Sequence, residues 1–290
     1  WPRIAAAARR ADLVHAHGDV AATLALPLLR AFPSVVTTHG LHFLRRATGA
    51  RRVVAERAMR AVARSAARVV CTSAAERDDL AQLLGPGLAA RLVVVHNGVA
   101  PVGAVDRAGA RAALGLEDGD VVALFLGELS ERKGVMVAVE AARAVADGGA
   151  PLVLLVAGDG PQVAAVGARA SDAVRPLGFR SDPERLLAAC DVFVLPSSRE
   201  GLSFAVLEAM AHGLAMVVAD GAGNPEAVGD AGVVVPAGDV GALAVALRSV
   251  AVDGFERARL GAAARERALG SFGLDRMLAG VAEAYAVALA

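Results

Sequence analysis

Short runs of β-branched and aliphatic residues recur along the chain, separated by longer stretches in which apolar positions fall at helical spacing. Strand-length runs lie at 11–15, 34–38, 68–72, 91–96, 121–127, 151–157, 176–179, 191–196 and 214–219. Between the later runs, helices are predicted at 135–146, 161–171, 183–189 and 203–211. A strand that is apolar at nearly every position is buried on both faces, and alternation with helices supplies the cover, so the pattern predicts doubly wound parallel α/β sheets. Two such sheets are expected, divided near 97–111, where Gly, Pro and Asn cluster and the rhythm pauses. The predicted domains are 1–103, 104–270 and a final helix at 271–290. Met277, Leu278, Val281, Tyr285 and Leu289 give that helix an apolar face, expected to cross back to the first domain. The first half has about four strands and no glycine-rich opening turn, and residue 1 is Trp, so N-terminal strands are expected to be missing from this sequence.

A length of 290 residues agrees with two domains at ~100–200 residues each. Thirty Lys+Arg balance thirty Asp+Glu and aromatics make up only 3%, which removes the electrostatic and stacking signatures of nucleic-acid binding. Cys71 and Cys190 have no companions at metal-ligand spacing and read as small buried residues in a reducing, cytoplasmic compartment. No apolar run reaches the ~20 residues that span a bilayer. Arg45, Arg46, Arg51 and Arg52 read either as a solvated helix face or as contacts for an anionic acceptor or a membrane surface.

In open parallel sheets, ligands bind beyond the carboxyl ends of the strands. The chain uses arginine for nearly all its positive charge, and its one lysine, Lys133, falls in the segment 127–134 that leaves a strand and opens a helix. A helix start presents unpaired N–H groups and a positive dipole end, so a lysine there suits a phosphate, the alternative being a solvated surface charge. Glu200 and Glu208 bracket the start of the helix predicted at 203–211, with Ser203 as its expected cap. At 1.5 Å per residue the two carboxylates stand on the order of ten Å apart with helix-start amides between them, a spacing that fits sugar, diphosphate and ribose in sequence. The alternative for Glu208 is an ordinary helix-face glutamate, against which its apolar neighbours Leu207, Ala209 and Met210 argue.

Other signals read as structure. Asp118-Gly119-Asp120 imitates a metal-binding pair but precedes a strand, where Asp-Gly makes a turn. The segment 158–163 begins like a dinucleotide fingerprint, yet Val163 stands where the third small residue belongs. His15, His17, His42, His96 and His212 are expected to be structural or solvated, whereas His39, at a strand end beside Gly40, is the exception.

Taken together, these residues resemble the retaining glycosyltransferases of family 4, also called group 1, which have the GT-B fold of two Rossmann-like domains facing across a cleft. The resemblance runs through Asp12-Leu13-Val14-His15-Ala16-His17, Thr38-His39-Gly40, Asn97-Gly98-Val99, the 127–134 loop, Gly158-Asp159-Gly160-Pro161 and the strand ending at Pro196-Ser197. Its clearest part is Glu200 and Glu208 eight residues apart, followed by Ala209-Met210-Ala211, Gly213, Pro225-Glu226 and Val235-Pro236. The resemblance implies transfer of a hexose from a nucleotide-diphosphate sugar to an acceptor hydroxyl, with retained configuration and neither metal nor cofactor, in polysaccharide or glycolipid biosynthesis. Carried onto this chain, His39, Lys133 and Glu200 are the catalytic residues. The donor, a UDP- or GDP-sugar, is expected to meet Gly127, Arg132, Lys133, Gly178, Phe179, Glu200, Gly201, Leu202, Ser203, Phe204 and Glu208. The acceptor, a sugar, lipid or small molecule, is not specified, and peripheral contact with the inner membrane face is compatible with the pattern.

One residue departs from the family. Glu128 stands directly after the strand-end glycine, where an arginine is usual, and a carboxylate beside a diphosphate is unfavourable unless compensated. Arg132 is the candidate substitute. Two other readings accompany the transferase: a catalytically silent nucleotide-sugar-binding protein, and a nucleotide-sugar epimerase of the same architecture.

Overall fold

The computed structural model describes residues 2–221 and 223–290, and the side chains of these other than Pro2, His42 and Phe43. The expectations made for Trp1 and for the His42 side chain lie outside them. The chain forms two compact units, one made of Trp1–Gly98 with Leu274–Ala290, the other of Val99–Gly273. Each contains one parallel α/β sheet, so the Rossmann-like fold class stands.

In the first unit four parallel strands lie in chain order: β1 (Val14–His17), β2 (Ser34–Thr37), β3 (Arg68–Cys71) and β4 (Leu92–Val94). Adjacent residues of a strand point to opposite faces, which splits the core in two. Val36 and Val69 pack with Met59 and Val62 of the helix Gly49–Ser65 and with Leu80 of the helix Ala74–Leu84. Val35, Val70 and Val95 face the other way, against Met277, Val281, Ala284 and Tyr285 of the helix Leu274–Leu289. β1 begins at Val14 rather than at residue 11, because its register is fixed by pairing of Val14 with Ser34 and of His17 with Thr37. The two histidines that interrupt the apolar run are therefore strand residues.

The second unit has six parallel strands: β5 (Val121–Leu126), β6 (Leu152–Ala157), β7 (Val174–Gly178), β8 (Val192–Leu195), β9 (Ala215–Ala219) and β10 (Gly232–Val235). Their spatial order is β10-β9-β8-β5-β6-β7. Every residue of β6, β8 and β9 is buried, as the near-continuous Val/Leu/Ala runs require of strands covered on both faces. Cys190 is a buried free thiol that burial pushes up to about 12, and Cys71 is likewise buried and raised, so both serve as packing residues. The helix expected over 161–171 shortens to Val163–Gly167. Strand β10 and the helices Val240–Val252 and Gly254–Ser271 were not expected from the pattern. β10 is an edge strand of four residues whose partly exposed valines give only a short apolar run.

From β5 the chain steps outward to β6 and β7, then returns to the opposite side of β5 as β8. The β5/β8 junction is thus the point where winding reverses, and in open parallel sheets ligands bind beyond the carboxyl ends of the strands at such a point.

Candidate active site

Both loops at that junction carry residues singled out by the sequence. Lys133 follows β5 and Glu200 follows β8, and Lys133 Nζ lies 2.7 Å from Glu200 Oε1. The ammonium approaches as an ion pair rather than along a hydrogen-bond direction. Arg132 Nη1 is 3.6 Å from the same oxygen. Glu200 is only 6% exposed, so its charge depends on these two cations. Glu128, the departure from the family pattern, accepts from Arg132 Nη2 at 3.0 Å and from the Ser130 hydroxyl at 3.2 Å. Arg132 is therefore shared between Glu200 and the carboxylate that replaces the usual arginine.

The two loops are stitched together by backbone. Ser198 N–H donates to the Arg132 carbonyl at 3.0 Å, and Arg132 Nη1 donates to the Arg199 carbonyl at 3.3 Å. Gly134 stands at the start of the helix Val135–Asp147 with φ 73°, and a Cβ there would collide with the Pro196 carbonyl. Gly158, after β6, is in the same situation against the carbonyl of Gly127. The chains pass too closely for any side chain, which is why the strand-end turns read as glycine.

Neither neighbouring helix start is closed by a side chain. Gly134 has none to offer, and Ser203, expected to cap the helix Phe204–Ala211, occupies the cap position without a side-chain cap hydrogen bond. Gly201 and Leu202 are buried beneath that start, while Phe204 is 48% exposed. Two helix starts without side-chain caps and a lysine, itself paired with Glu200, thus lie beside one reversal point, and helix starts of this kind favour negative charge. Gly178 ends β7 with φ 66°, and Phe179 directly after it is 77% exposed, an aromatic face at the same sheet edge.

Glu208 lies further down its helix, half-buried. Burial, and secondarily Glu184, holds its carboxyl above the usual range. It lines a hollow of about 360 Å³ with residues 99–105, Pro183, Glu184, Leu187 and His212; Lys133 and Glu200 are not among that hollow's residues. A second hollow, about 460 Å³ and lined by Arg107, Asp191, Arg257 and Arg265, opens at the amino ends of β8 and β9. That edge is opposite the strand-end loops, so the larger hollow is not where the fold places a donor.

In the first unit the carboxyl ends of β1 and β2 bring three imidazoles together. His17 Nδ1 lies 2.9 Å from His39 Nε2, a contact in which one ring donates and the other accepts. His17 also stacks on His15 with ring centroids 4.0 Å apart. His15 is fixed by the hydroxyls of Tyr285 and Thr37, each at 2.8 Å. Burial, then its neighbours His17 and His39, lowers His15 to about 4, so it is neutral near pH 7. His39 has φ 53°, Gly40 102° and Leu41 53°. A left-handed conformation costs a residue with a side chain about 1–2 kcal/mol, so this turn is held by its surroundings. The sequence singled out His39, set His17 aside, and missed Glu76, whose carboxylate receives the Gly40 N–H at 2.5 Å. The one available signal for Glu76 was the Ser73-x-x-Glu76 pattern of a helix start.

A family model described as "Glycosyl transferases group 1" matches residues 120–253, and one described as "Glycosyltransferase Family 4" matches residues 1–101. Glycogen synthase of Mycobacterium tuberculosis is 31% identical over 296 residues, covering 96% of this chain and 69% of that protein. Alpha-maltose-1-phosphate synthase of the same organism is 30% identical over 254 residues, covering 78% of this chain and 64% of that protein. Among solved structures, Anabaena HepE in complex with UDP and glucose superposes with a TM-score of 0.86 at 22% identity, over 98% of this chain and 80% of that one. Sucrose-phosphate synthase from Thermosynechococcus elongatus gives 0.79 at 23% identity, over 95% and 73%. A doubly wound fold shared with these structures, family models that match residues 1–101 and 120–253, and a sequence aligned with glycogen synthase over 96% of its length identify the chain as a member of the group 1 glycosyltransferases of the GT-B superfamily.

Proposed function

We propose that the protein transfers a hexose from a nucleotide-diphosphate sugar to an acceptor hydroxyl, retaining the anomeric configuration and relying on protein cations rather than a metal. The observation that carries this reading is the Lys133–Glu200 pair at the β5/β8 reversal, between two helix starts without side-chain caps. As the glycosidic C–O bond breaks, negative charge grows on the diphosphate, and a fixed ammonium with helix-start amides stabilises it as it develops. Glu200 then exchanges part of its hold on Lys133 for hydroxyls of the donor sugar. Glu208 accepts from the ribose hydroxyls, Phe179 and the Gly178 backbone meet the base, and His39 contacts the donor sugar. The donor is a UDP- or GDP-hexose, a choice that the UDP in the HepE structure supports on the UDP side. The pairing of Glu128 with Arg132, which Glu200 shares, weakens the repulsion that Glu128 would exert on a diphosphate, and this favours an active enzyme over a silent binding protein.

Among the described residues no helix is long and apolar enough to cross a membrane. A cytoplasmic location with peripheral contact to an anionic membrane face belongs to the same proposal. Arg45 is paired with Asp79 and Arg52 with Glu56, so Arg46 and Arg51 are the arginines of that group best placed to provide it.

The ion pair shapes the test. Lys133→Ala by itself strips a buried carboxylate of its nearest cation and is expected to cost stability, so Lys133→Ala/Glu200→Gln is the cleaner variant. It is expected to keep its melting temperature while losing transfer from UDP- or GDP-hexose by about 10²–10³-fold, with the product of the wild type retaining the donor's anomeric configuration by NMR. Unchanged transfer in the double variant would sink the proposal. Nucleotide-sugar binding by calorimetry without turnover in the wild type would establish the silent protein, and an altered sugar from donor alone would establish the epimerase.

A further inference from the structure

The turn that presents His39 has three successive residues at positive φ, two of which carry side chains. Such a turn persists only when its surroundings over-determine it. Its first residue is anchored through Thr38, which donates to the Val70 carbonyl with its N–H at 3.0 Å and its hydroxyl at 3.2 Å. Its centre is anchored by Glu76. One carboxylate oxygen takes the Gly40 N–H at 2.5 Å, and the other takes the Thr72 N–H at 2.7 Å and the Thr72 hydroxyl at 3.0 Å. Glu76 is fully buried at the start of the helix Ala74–Leu84, where Ser73 caps its N–H at 3.1 Å. A glutamate at this position ordinarily turns back to close its own helix start. Here it takes instead the Thr72 groups just before that start and the Gly40 N–H beyond the end of β2, so one buried carboxylate joins the turn after β2 to the end of β3. The helix dipole and three donors offset its desolvation. Nothing in the packing of an ordinary helix cap requires that second reach.

We infer that Glu76 is a positioning residue for the transfer reaction: its carboxylate clamps the left-handed turn His39–Gly40–Leu41 onto the end of β3 and thereby fixes where the His39 imidazole stands, while His17 holds the ring. The inference rests on the reading of His39 given above, and the experiment separates the two. In Glu76→Gln one acceptor oxygen becomes an NH2 group that faces a donor, so one arm of the clamp opens without a change of volume. Expected are a kcat lower by about 10–100-fold from misplacement of His39, a donor KM within about twofold because the contacts proposed for the diphosphate, ribose and base lie away from His39 and are kept, faster hydrogen exchange at the Gly40 amide, and displaced His39 ring 15N resonances. Should Glu76→Gln not yield folded protein, Thr72→Val removes one donor to the same carboxylate. It is expected to show the same pattern at about threefold in kcat. Wild-type Gly40 exchange, His39 resonances and kcat in a folded Glu76→Gln, or in Thr72→Val where only that variant folds, overturn the inference. Loss of transfer in His39→Ala together with wild-type behaviour of Glu76→Gln removes the clamp alone. Wild-type transfer in His39→Ala removes the role of His39 itself, and with it the catalytic meaning of the clamp.

Discussion

At the scale of single residues, the two glutamates that bracket the start of the helix Phe204–Ala211 occupy different electrostatic settings. Glu200 is held by Lys133, whereas Glu208 is half-buried, with Glu184 as a neighbouring like charge, and its carboxyl is raised above the usual range. A raised folded-state value favours folding below the ordinary carboxylate range and loses that contribution as pH climbs through the raised value. Glu208→Gln is therefore expected to melt above the wild type at pH 7, with the gap closing as pH falls into the ordinary carboxylate range. The same change is expected to weaken UDP or GDP binding about tenfold, since a neutral amide is a poorer acceptor for ribose hydroxyls. Melting curves across pH and titration calorimetry check both, and a gap that does not vary with pH would contradict the electrostatic account. Lys133 was legible in the sequence because it is the sole lysine of an arginine-rich chain and stands at a strand end, where parallel sheets bind anions. Glu76 was not, because its local signature is that of a helix cap and the Gly40 N–H it serves lies in a different loop. The pairing of His17 with His39 was hidden for a related reason: the parallel register of β1 and β2 sets their strand ends side by side, and no local pattern reports it.

At the scale of elements, the loops after β5 and β8 behave as one structure. Gly134 is their contact point, at φ 73° and against the Pro196 carbonyl. Gly134→Ala adds both a left-handed alanine and a collision with backbone, and is expected to destabilise the second unit by about 3 kcal/mol or more. Denaturant unfolding followed by a probe in that unit measures it, and a cost below about 1 kcal/mol would mean that the loops separate easily. Strands with continuous Val, Leu and Ala were readable from the sequence because burial on both faces leaves no polar alternation to blur them. β1, with its two histidines, and β10, at an edge, carry weaker patterns and were misplaced or missed. The glycines of the strand-end turns were visible as residue types. Only the fold shows that another backbone occupies the space their side chains would need.

At the scale of the whole molecule, each unit buries its own core, and the final helix belongs to the first. It covers Val35, Val70 and Val95 and supplies the Tyr285 hydroxyl to His15. Removal of residues 274–290 is expected to abolish the calorimetric transition of the first unit, by exposing one face of its sheet and an unpaired His15, while that of the second unit keeps its midpoint. A single unchanged transition would show that the helix contributes little to that core. The sequence by itself determined the class of fold, the presence of two sheets, and the residue types at their strand ends, because hydrophobic periodicity, turn chemistry and rare residues are local quantities. Only the tertiary structure decided that Lys133 meets Glu200, that Arg132 answers Glu128, and that Glu76 holds the turn of His39. The first and third of these contacts join loops that strand order makes neighbours, and the second closes within the loop after β5 once that loop is folded, because hydrogen bonds and ion pairs depend on distance in space, whatever the separation along the chain.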